Sequence, residues 1–310
     1  MPLERVPPRR LAIDLPPEPI PTSNGLPPTM RIDAHQHFWR YSPERYPWIP
    51  KGSALAQDWL PADLAQLQTP LGFQGSIAVQ AQQTLSETEW LLSLADQDPR
   101  VRGVVGWVDL QQDRVEDDLA RLTRHPRLVG IRHVVQDEPD DQFMLRPAFQ
   151  RGIGRLQAFQ LRYDILIYPR QLPAAIQLVR AFPEQPFVLD HIAKPFIRTG
   201  TLSPWREQIR ELAGHPNVLC KVSGMVTEAD PQSWKLEDFT PFLDVVFEAF
   251  GVGRLMFGSD WPVCLLAGSY GRVVGLLEDY VRTRARLDAS ETDGLWGLNA
   301  ARFYGVQSPG

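Results

Sequence analysis

Cysteine is scarce in this sequence: Cys220 and Cys264 are the only two in 310 residues. Two widely spaced thiols build neither a disulfide framework nor a zinc finger, and they suit a reducing compartment. No run approaches the roughly 20 apolar residues of a membrane span, and no apolar block follows a basic one at the N-terminus. The expectation is a soluble cytoplasmic protein without a membrane partner. Basic residues are scattered and the net charge is −5, so no footprint for a phosphate backbone exists and nucleic acid is not expected as a partner. No Gly-rich phosphate turn follows the first strand-like segment, which counts against an open dinucleotide-binding sheet. The nearest approach to a Gly-x-Ser-x-Gly elbow, Ala267-Gly268-Ser269-Tyr270-Gly271, lacks the first glycine, so serine-nucleophile chemistry has little support.

What is present is material for a large core, with 43% hydrophobic and 10% aromatic residues. Prolines at positions 2, 7, 8, 16, 17, 19, 21, 27 and 28 reach a density at which neither helix nor β-ladder persists. Residues 1–29 are therefore expected to be a disordered tail, with Met30 an alternative start. A single catalytic domain is expected over 30–306 and a short tail over 307–310. Beyond Met30, short apolar β-branched runs alternate with helical patterns, the sequence form of βα units around a parallel sheet. Strands are predicted at Ile32 to His37, Gly75 to Gln82, Val101 to Leu110, Leu128 to Val135, Tyr163 to Tyr168, Phe187 to Ile192, Val218 to Gly224 and Leu255 to Asp260. One helix is predicted to open at Ser86 with Glu89 as a capping box, another at Ser203 with Pro204 in its first position. Eight units in series predict an α/β fold closed as a (β/α)₈ TIM barrel. The Trp-, Tyr- and Pro-rich stretch Phe38 to Leu60 exceeds an ordinary βα loop and is expected to cover the mouth. A last helix near Thr292 to Tyr304 is expected on the barrel's outside.

In such a barrel chemistry sits at the C-terminal ends of the strands. His35 and His37 end the first strand, and their spacing of two points both imidazoles the same way. Alone, a His-x-His is better read as two unrelated polar residues at a strand end. A closed barrel, however, makes the last strand, ending in Asp260, their neighbour. A carboxylate beside an imidazole pair suits one zinc ion, whose catalytic sites keep an open position, so His35, His37 and Asp260 are the candidate ligands. His191 ends the sixth strand as a ligand, a general acid or an electrophile. His125 and His215 precede prolines ahead of strands four and seven, on the opposite rim, and read as structural. Arg132 and His133 have opposite parity, and Arg132 is taken as the inward one. Candidate substrate contacts are Trp39, Trp48, Gln82, Tyr168, Lys221 and Ser223. Gln80 shares a face with Gln82, and Trp107 and Trp261 are expected near the mouth, where indole rings stack on sugars or simply pack.

Six motifs carry a wider resemblance: Asp33-Ala34-His35-Gln36-His37-Phe38-Trp39, Gly130-Ile131-Arg132-His133, Leu189-Asp190-His191-Ile192-Ala193-Lys194-Pro195, Lys221-Val222-Ser223-Gly224, Phe257-Gly258-Ser259-Asp260-Trp261-Pro262 and Asn299-Ala300-Ala301-Arg302-Phe303-Tyr304. Together, from about Met30 to Tyr304, the chain resembles the lactonase-rich branch of the amidohydrolase superfamily, which holds L-fuconolactonases, L-rhamnonolactonases, sulfomuconolactonases and pyrone-dicarboxylate lactonases. The resemblance implies an amidohydrolase-type barrel whose reaction centre is His35, His37, His191 and Asp260. Other branches carry a histidine after strand five where this chain has Tyr168-Pro169-Arg170, so at most one divalent ion, Zn²⁺ in kind and dispensable in some relatives, is implied. The expected function is hydrolysis of a small sugar-acid lactone, with Asp260 as base and His191 and Arg132 facing the oxyanion. The alternatives are decarboxylation of an unsaturated acid on a similar site and a non-catalytic sugar-acid binding protein. The sequence leaves homo-oligomerisation open.

Overall fold

The computed structural model describes residues 30–307, so the expected tails lie outside the described residues except for Gln307. Eight parallel strands stand in sequential order: β1 (Arg31–Gln36), β2 (Phe73–Val79), β3 (Val101–Gly106), β4 (Leu128–His133), β5 (Arg162–Ile165), β6 (Phe187–Leu189), β7 (Val218–Val222) and β8 (Leu255–Phe257). Around them lie α1 (Pro61–Gln68), α2 (Leu85–Gln97), α3 (Val115–Leu122), α4 (Pro147–Leu156), α5 (Leu172–Ala181), α6 (Trp205–Ala213), α7 (Leu236–Phe250) and α8 (Tyr270–Tyr280). This is the (β/α)₈ barrel that the alternation of patterns predicts. All eight strands end one to four residues before the sequence pattern does. Apolar residues just past the ladder, such as Val108, Ile167 and Ile192, stay buried in the main hydrophobic core, so hydrophobicity outlasts hydrogen bonding.

Three local expectations are corrected. Thr84 rather than Ser86 caps α2: its side chain accepts from Glu87 N, because the chain turns two residues earlier. Pro204 is the N-cap of α6, not its first helical residue. The last segment is broken into α9 (Ala289–Asp293), a π-helical turn at Gly294–Leu298 and α10 (Asn299–Tyr304). It does not lie on the barrel's outside. Ala300, Ala301, Phe303 and Tyr304 pack with Ile32, Ile77, Val79, Val105, Val129, Val188 and Met256, side chains of the barrel interior, so α10 plugs the N-terminal end.

Closure is unusual in depending on a side chain. Among the described residues no ladder pairs β8 with β1. Two hydrogen bonds beyond the strands join them, Asp260 N to His35 O at 2.8 Å and His37 N to Trp261 O at 2.7 Å. Beneath these, the buried Asp33 carboxylate accepts from His35 N, Ser259 N, Ser259 Oγ and Tyr270 Oη at 3.1, 2.9, 2.6 and 3.2 Å. It thus ties β1 to the loop after β8 and to α8. Burial pushes the Asp33 carboxyl up to about 6 in spite of these four donors. Substituting Asp33→Ala orphans two buried backbone N–H groups and is expected to cost about 3 kcal/mol of stability. Urea denaturation giving a loss below about 1 kcal/mol would mean that the seam closes without this carboxylate.

Candidate active site

Polar residues gather where the strands run out. At the end of β1 the pairing register shifts between Asp33 and Gln36, and both His35 and His37 turn inward, with their Nε2 atoms 3.3 Å apart. His37 Nδ1 donates to Val79 O at 2.8 Å, which leaves its Nε2 facing Asp260 Oδ1 at 3.3 Å. His35 Nε2 and His191 Nε2 each lie 3.8 Å from the same oxygen. Three imidazoles therefore converge on one carboxylate oxygen. His191 Nδ1 meets Ser223 Oγ at 2.9 Å, and His35 Nδ1 lies 3.3 Å from Asp190 Oδ1. Each ring is held by its Nδ1 edge, which fixes its orientation and presents Nε2 to the centre.

The backbone is strained to achieve this. His191, Ile192, Ala193 and Lys194 all adopt the left-handed region, at φ values of 55, 48, 60 and 47°, and Asp260 follows at 57°. For residues other than glycine this costs on the order of 1–2 kcal/mol each. The turn is held by Trp205 Nε1 donating to Ile192 O at 2.8 Å and by Lys194 N donating to His191 O at 2.8 Å. Two glycines make the room. A Cβ on Gly224, itself at φ +59°, would stand 2.3 Å from His191 Nδ1, and one on Gly258 would stand 2.6 Å from His35 Cβ.

Burial holds the His35 and His191 imidazoles well below the ordinary histidine range, so both are neutral at neutral pH. Burial also opposes ionisation of Asp260, but His191, the His37 hydrogen bond and the Lys194 charge outweigh it and lower its pKa. The site thus sets the Asp260 carboxylate against two neutral imidazoles, those of His35 and His191. His35, His191 and Asp260 bring one ligand atom each within 4.8 Å of one another. Neutral imidazole nitrogens with a carboxylate oxygen are a donor set that a divalent metal accepts. His191 therefore joins the ligand candidates, with His37 alongside.

Several other expected site residues stand elsewhere. Trp39 is fully buried, donating to Leu55 O and Gln57 O within a small core of Tyr46, Ile49 and Leu55, so no substrate reaches it. Trp261 is likewise buried, against Phe38 and Trp59. Trp48, 44% exposed, is the mouth tryptophan open to solvent, while Trp107 is half-buried beside His133. Ser223 is buried behind His191, and Lys221 is buried beneath His35, bound to Asp164 and Asp190; neither faces a substrate. Gln82 falls beyond β2 with its amide tied to Arg45 O, whereas Gln80 donates to Arg132 O. Tyr168 is half-buried at the mouth, with Lys194 Nζ 5.4 Å from its ring centre. Arg132 faces inward, held by Asp190 Oδ2 at 3.0 Å, by Gln80 O and by His35 Nε2 at 3.2 Å, while His133 faces the helices, stacked on Phe143. His125 pairs with Asp96, away from the site.

Asp190, Asp164, Lys194 and Glu228 join the site without standing among the expected residues. Inward parity on β5 was a signal for Asp164; Lys194 and Glu228 reach the mouth through loop conformations that no pattern announces. The loop 38–60 is pinned by Glu87, which accepts from Tyr46 Oη at 3.1 Å, Ala81 N at 3.0 Å and Gln82 N at 2.6 Å.

A barrel whose mouth gathers three imidazoles around a carboxylate at the β1–β8 seam defines the amidohydrolase architecture. The chain belongs to that family: residues 32–306 match the family described as Amidohydrolase. It is 44% identical over 294 residues to an L-fucono-1,5-lactonase of Burkholderia multivorans, covering 90% of this chain and 97% of that one. A second L-fucono-1,5-lactonase, of Burkholderia ambifaria, is 39% identical over 283 residues, with 91% and 97% covered. A crystal structure of an amidohydrolase from Burkholderia multivorans with bound zinc superposes with a TM-score of 0.86 at 44% identity, over 90% of this chain and all of that one.

Two outcomes follow from this geometry. Gly224→Ala is expected to displace His191 and lower turnover at least about 100-fold while the barrel stays folded by circular dichroism; near-normal turnover would show that the His191 ring position is not needed. Burial raises the Glu87 carboxyl to about 7 from an unfolded value near 4.5. Its folded form holds the proton longer than the unfolded one, so wild type loses stability relative to Glu87→Gln as pH rises from about 4.5 to about 7, by roughly 3 kcal/mol across that window. A stability gap between the two proteins that stays flat with pH would contradict this.

Proposed function

We propose that the chain opens the ring of a sugar-acid lactone, with Asp260 as the base. The observation that carries this is the convergence of His35, His37 and His191 on the ionised Asp260 oxygen, and the likeness to two L-fucono-1,5-lactonases over nearly their whole lengths supports the substrate class. Asp260 takes a proton from water as the water oxygen bonds to the lactone carbonyl carbon, and the carbonyl electron pair moves onto oxygen. Collapse re-forms the carbonyl, breaks the ring C–O bond and returns the Asp260 proton to the departing ring oxygen. The hydroxy acid formed then ionises, releasing one proton per turnover.

The residues around Asp260 divide the remaining work. Ser223 Oγ supports either tautomer of His191: as acceptor it leaves the Nε2 lone pair free, and as donor it leaves Nε2–H to hydrogen-bond the oxyanion. Arg132 is committed to Asp190, Gln80 and His35, so it supports the imidazole cluster from below instead of meeting the oxyanion. Lys194, with no ion pair among the described residues, is the cation at the mouth that faces the developing charge, and its field reaches both Asp260 and His191. The sugar face rests against Trp48 and Tyr168. His35, His191 and Asp260, with His37 beside them, would hold a divalent ion such as zinc, which supplies Lewis acidity toward a carbonyl and a lower pKa for water.

The test is a panel of aldonic-acid lactones followed by proton release with a pH indicator, before and after chelation. One sugar lactone is expected to release acid, and Asp260→Asn to lower that turnover about 10³-fold. Silence across the panel, with and without added Zn²⁺ or Mn²⁺, would overturn the reading, and near-normal turnover by Asp260→Asn would place the base elsewhere.

A further inference from the structure

The barrel interior holds a chain of charged and polar groups that joins its two ends. At the bottom, Tyr304 of α10 donates to Asp164 on β5, its Oη 2.9 and 3.1 Å from the two carboxylate oxygens. Asp164 binds Lys221 Nζ of β7 at 2.5 Å. Lys221 Nζ in turn lies 3.1 Å from Asp190 Oδ1 and 3.1 Å from His35 Nδ1. Asp190 closes the arrangement by binding Arg132 at 3.0 Å and facing His35 Nδ1 at 3.3 Å. Asp164, Lys221 and Asp190 are fully buried, so no water competes for these contacts.

Such a group is costly in a barrel core that hydrophobic side chains fill elsewhere. Its members are mutually dependent: removing one leaves the next with an unmet hydrogen bond or an uncompensated charge. Lys221 has two carboxylates within reach, and the position of its ammonium decides how Asp190 shares itself between Lys221, Arg132 and His35. Tyr304 holds Asp164 from the side away from the site, and Asp164 sets where the ammonium stands.

We propose that Tyr304 is a positioning residue for the reaction centre at the opposite end of the barrel, acting through Asp164 and Lys221 on Asp190 and His35. The proposal rests on the lactone-opening reading only for its activity readout. The α10 helix then has two separable roles, as a hydrophobic plug through Phe303 and its neighbours and as the base of the polar chain through one hydroxyl.

Tyr304→Phe removes that hydroxyl and nothing else. It is expected to lower kcat about 10-fold with KM within 2-fold, and to have no further effect when added to Lys221→Met, because both act along one chain. Arg162→Met is the control, since Arg162 Nε donates to Phe303 O and tethers the same helix without joining the polar chain; it is expected to lower Tm and leave kcat within 2-fold. The imidazole nitrogen resonances of His35, assigned with His35→Asn in ¹⁵N-histidine-labelled protein, are expected to move in Tyr304→Phe and stay in Arg162→Met. That spectrum needs no substrate, so it tests the positioning even if no lactone is opened. An unmoved His35 resonance, equal kcat effects of Tyr304→Phe and Arg162→Met, or full additivity of Tyr304→Phe with Lys221→Met would each overturn the proposal.

Discussion

Eight strands wrapped into a barrel must join last to first, and here that join rests on Asp33. Its carboxylate replaces a run of ladder hydrogen bonds with four convergent donors from β1, the β8 loop and α8. Closing the seam by a side chain leaves the strand ends above it free of ladder geometry. His35, His37 and Asp260 occupy that freed stretch, joined across it by only two backbone bonds. The cluster of imidazoles and carboxylate is where it is because the sheet is least regular there. A fully laddered seam would alternate side chains strictly and send His35 outward with Asp33.

A second constraint comes from charge in the interior. Lys221, Arg132, Asp164 and Asp190 are taken out of water and compensated almost entirely by one another. Burial lifts Asp164 to about 6 against the pull of Lys221, whereas the Lys221 and Arg132 charges, with a hydrogen bond from His35, overcome burial at Asp190 and hold it well below the usual carboxylate range. Asp164 on β5 and Asp190 just past β6 thus respond in opposite ways to a similar environment. The difference is the number of cations each one meets. The imidazole that feels this layer directly is His35, on which Asp190, Lys221 and Arg132 all act while burial keeps it uncharged.

Much of this was legible in the sequence. Eight apolar runs separated by helical patterns fix the barrel, and inward parity separates Arg132 from His133 because a strand has only two faces. His35, His37, His191 and Asp260 stand in one cluster because strand ends in a barrel share one rim. What escaped is what local pattern does not encode. Leu189-Asp190-His191-Ile192-Ala193-Lys194 contains no glycine or asparagine, yet four of its residues are left-handed, imposed by Trp205 and by the space that Gly224 leaves. Trp39 and Lys221 looked like substrate contacts because composition reports polarity and ring size, not depth. The bottom plug of α10 escaped because a helix's apolar face does not say which cavity it fills.

The loop over residues 38–60 carries its own small core of Trp39, Tyr46, Ile49 and Leu55, separate from the interior cluster of the barrel. A β-bridge from Trp39 to Trp59 ties its two ends together, and it meets the rest through Tyr46 Oη donating to Glu87, Trp48 Nε1 to Ala81 O, Gln82 Nε2 to Arg45 O, and ring contacts such as Trp59 on Trp261. The side chains that shape this segment are therefore largely distinct from the cluster of His35, His37, His191 and Asp260. A substitution confined to this segment reshapes the ceiling over the strand ends, with Trp48 as its exposed tip, and touches none of the imidazoles and carboxylates beneath. Ceiling and floor are thereby separable parts of one mouth, the loop being the part in which substitution is tolerated best.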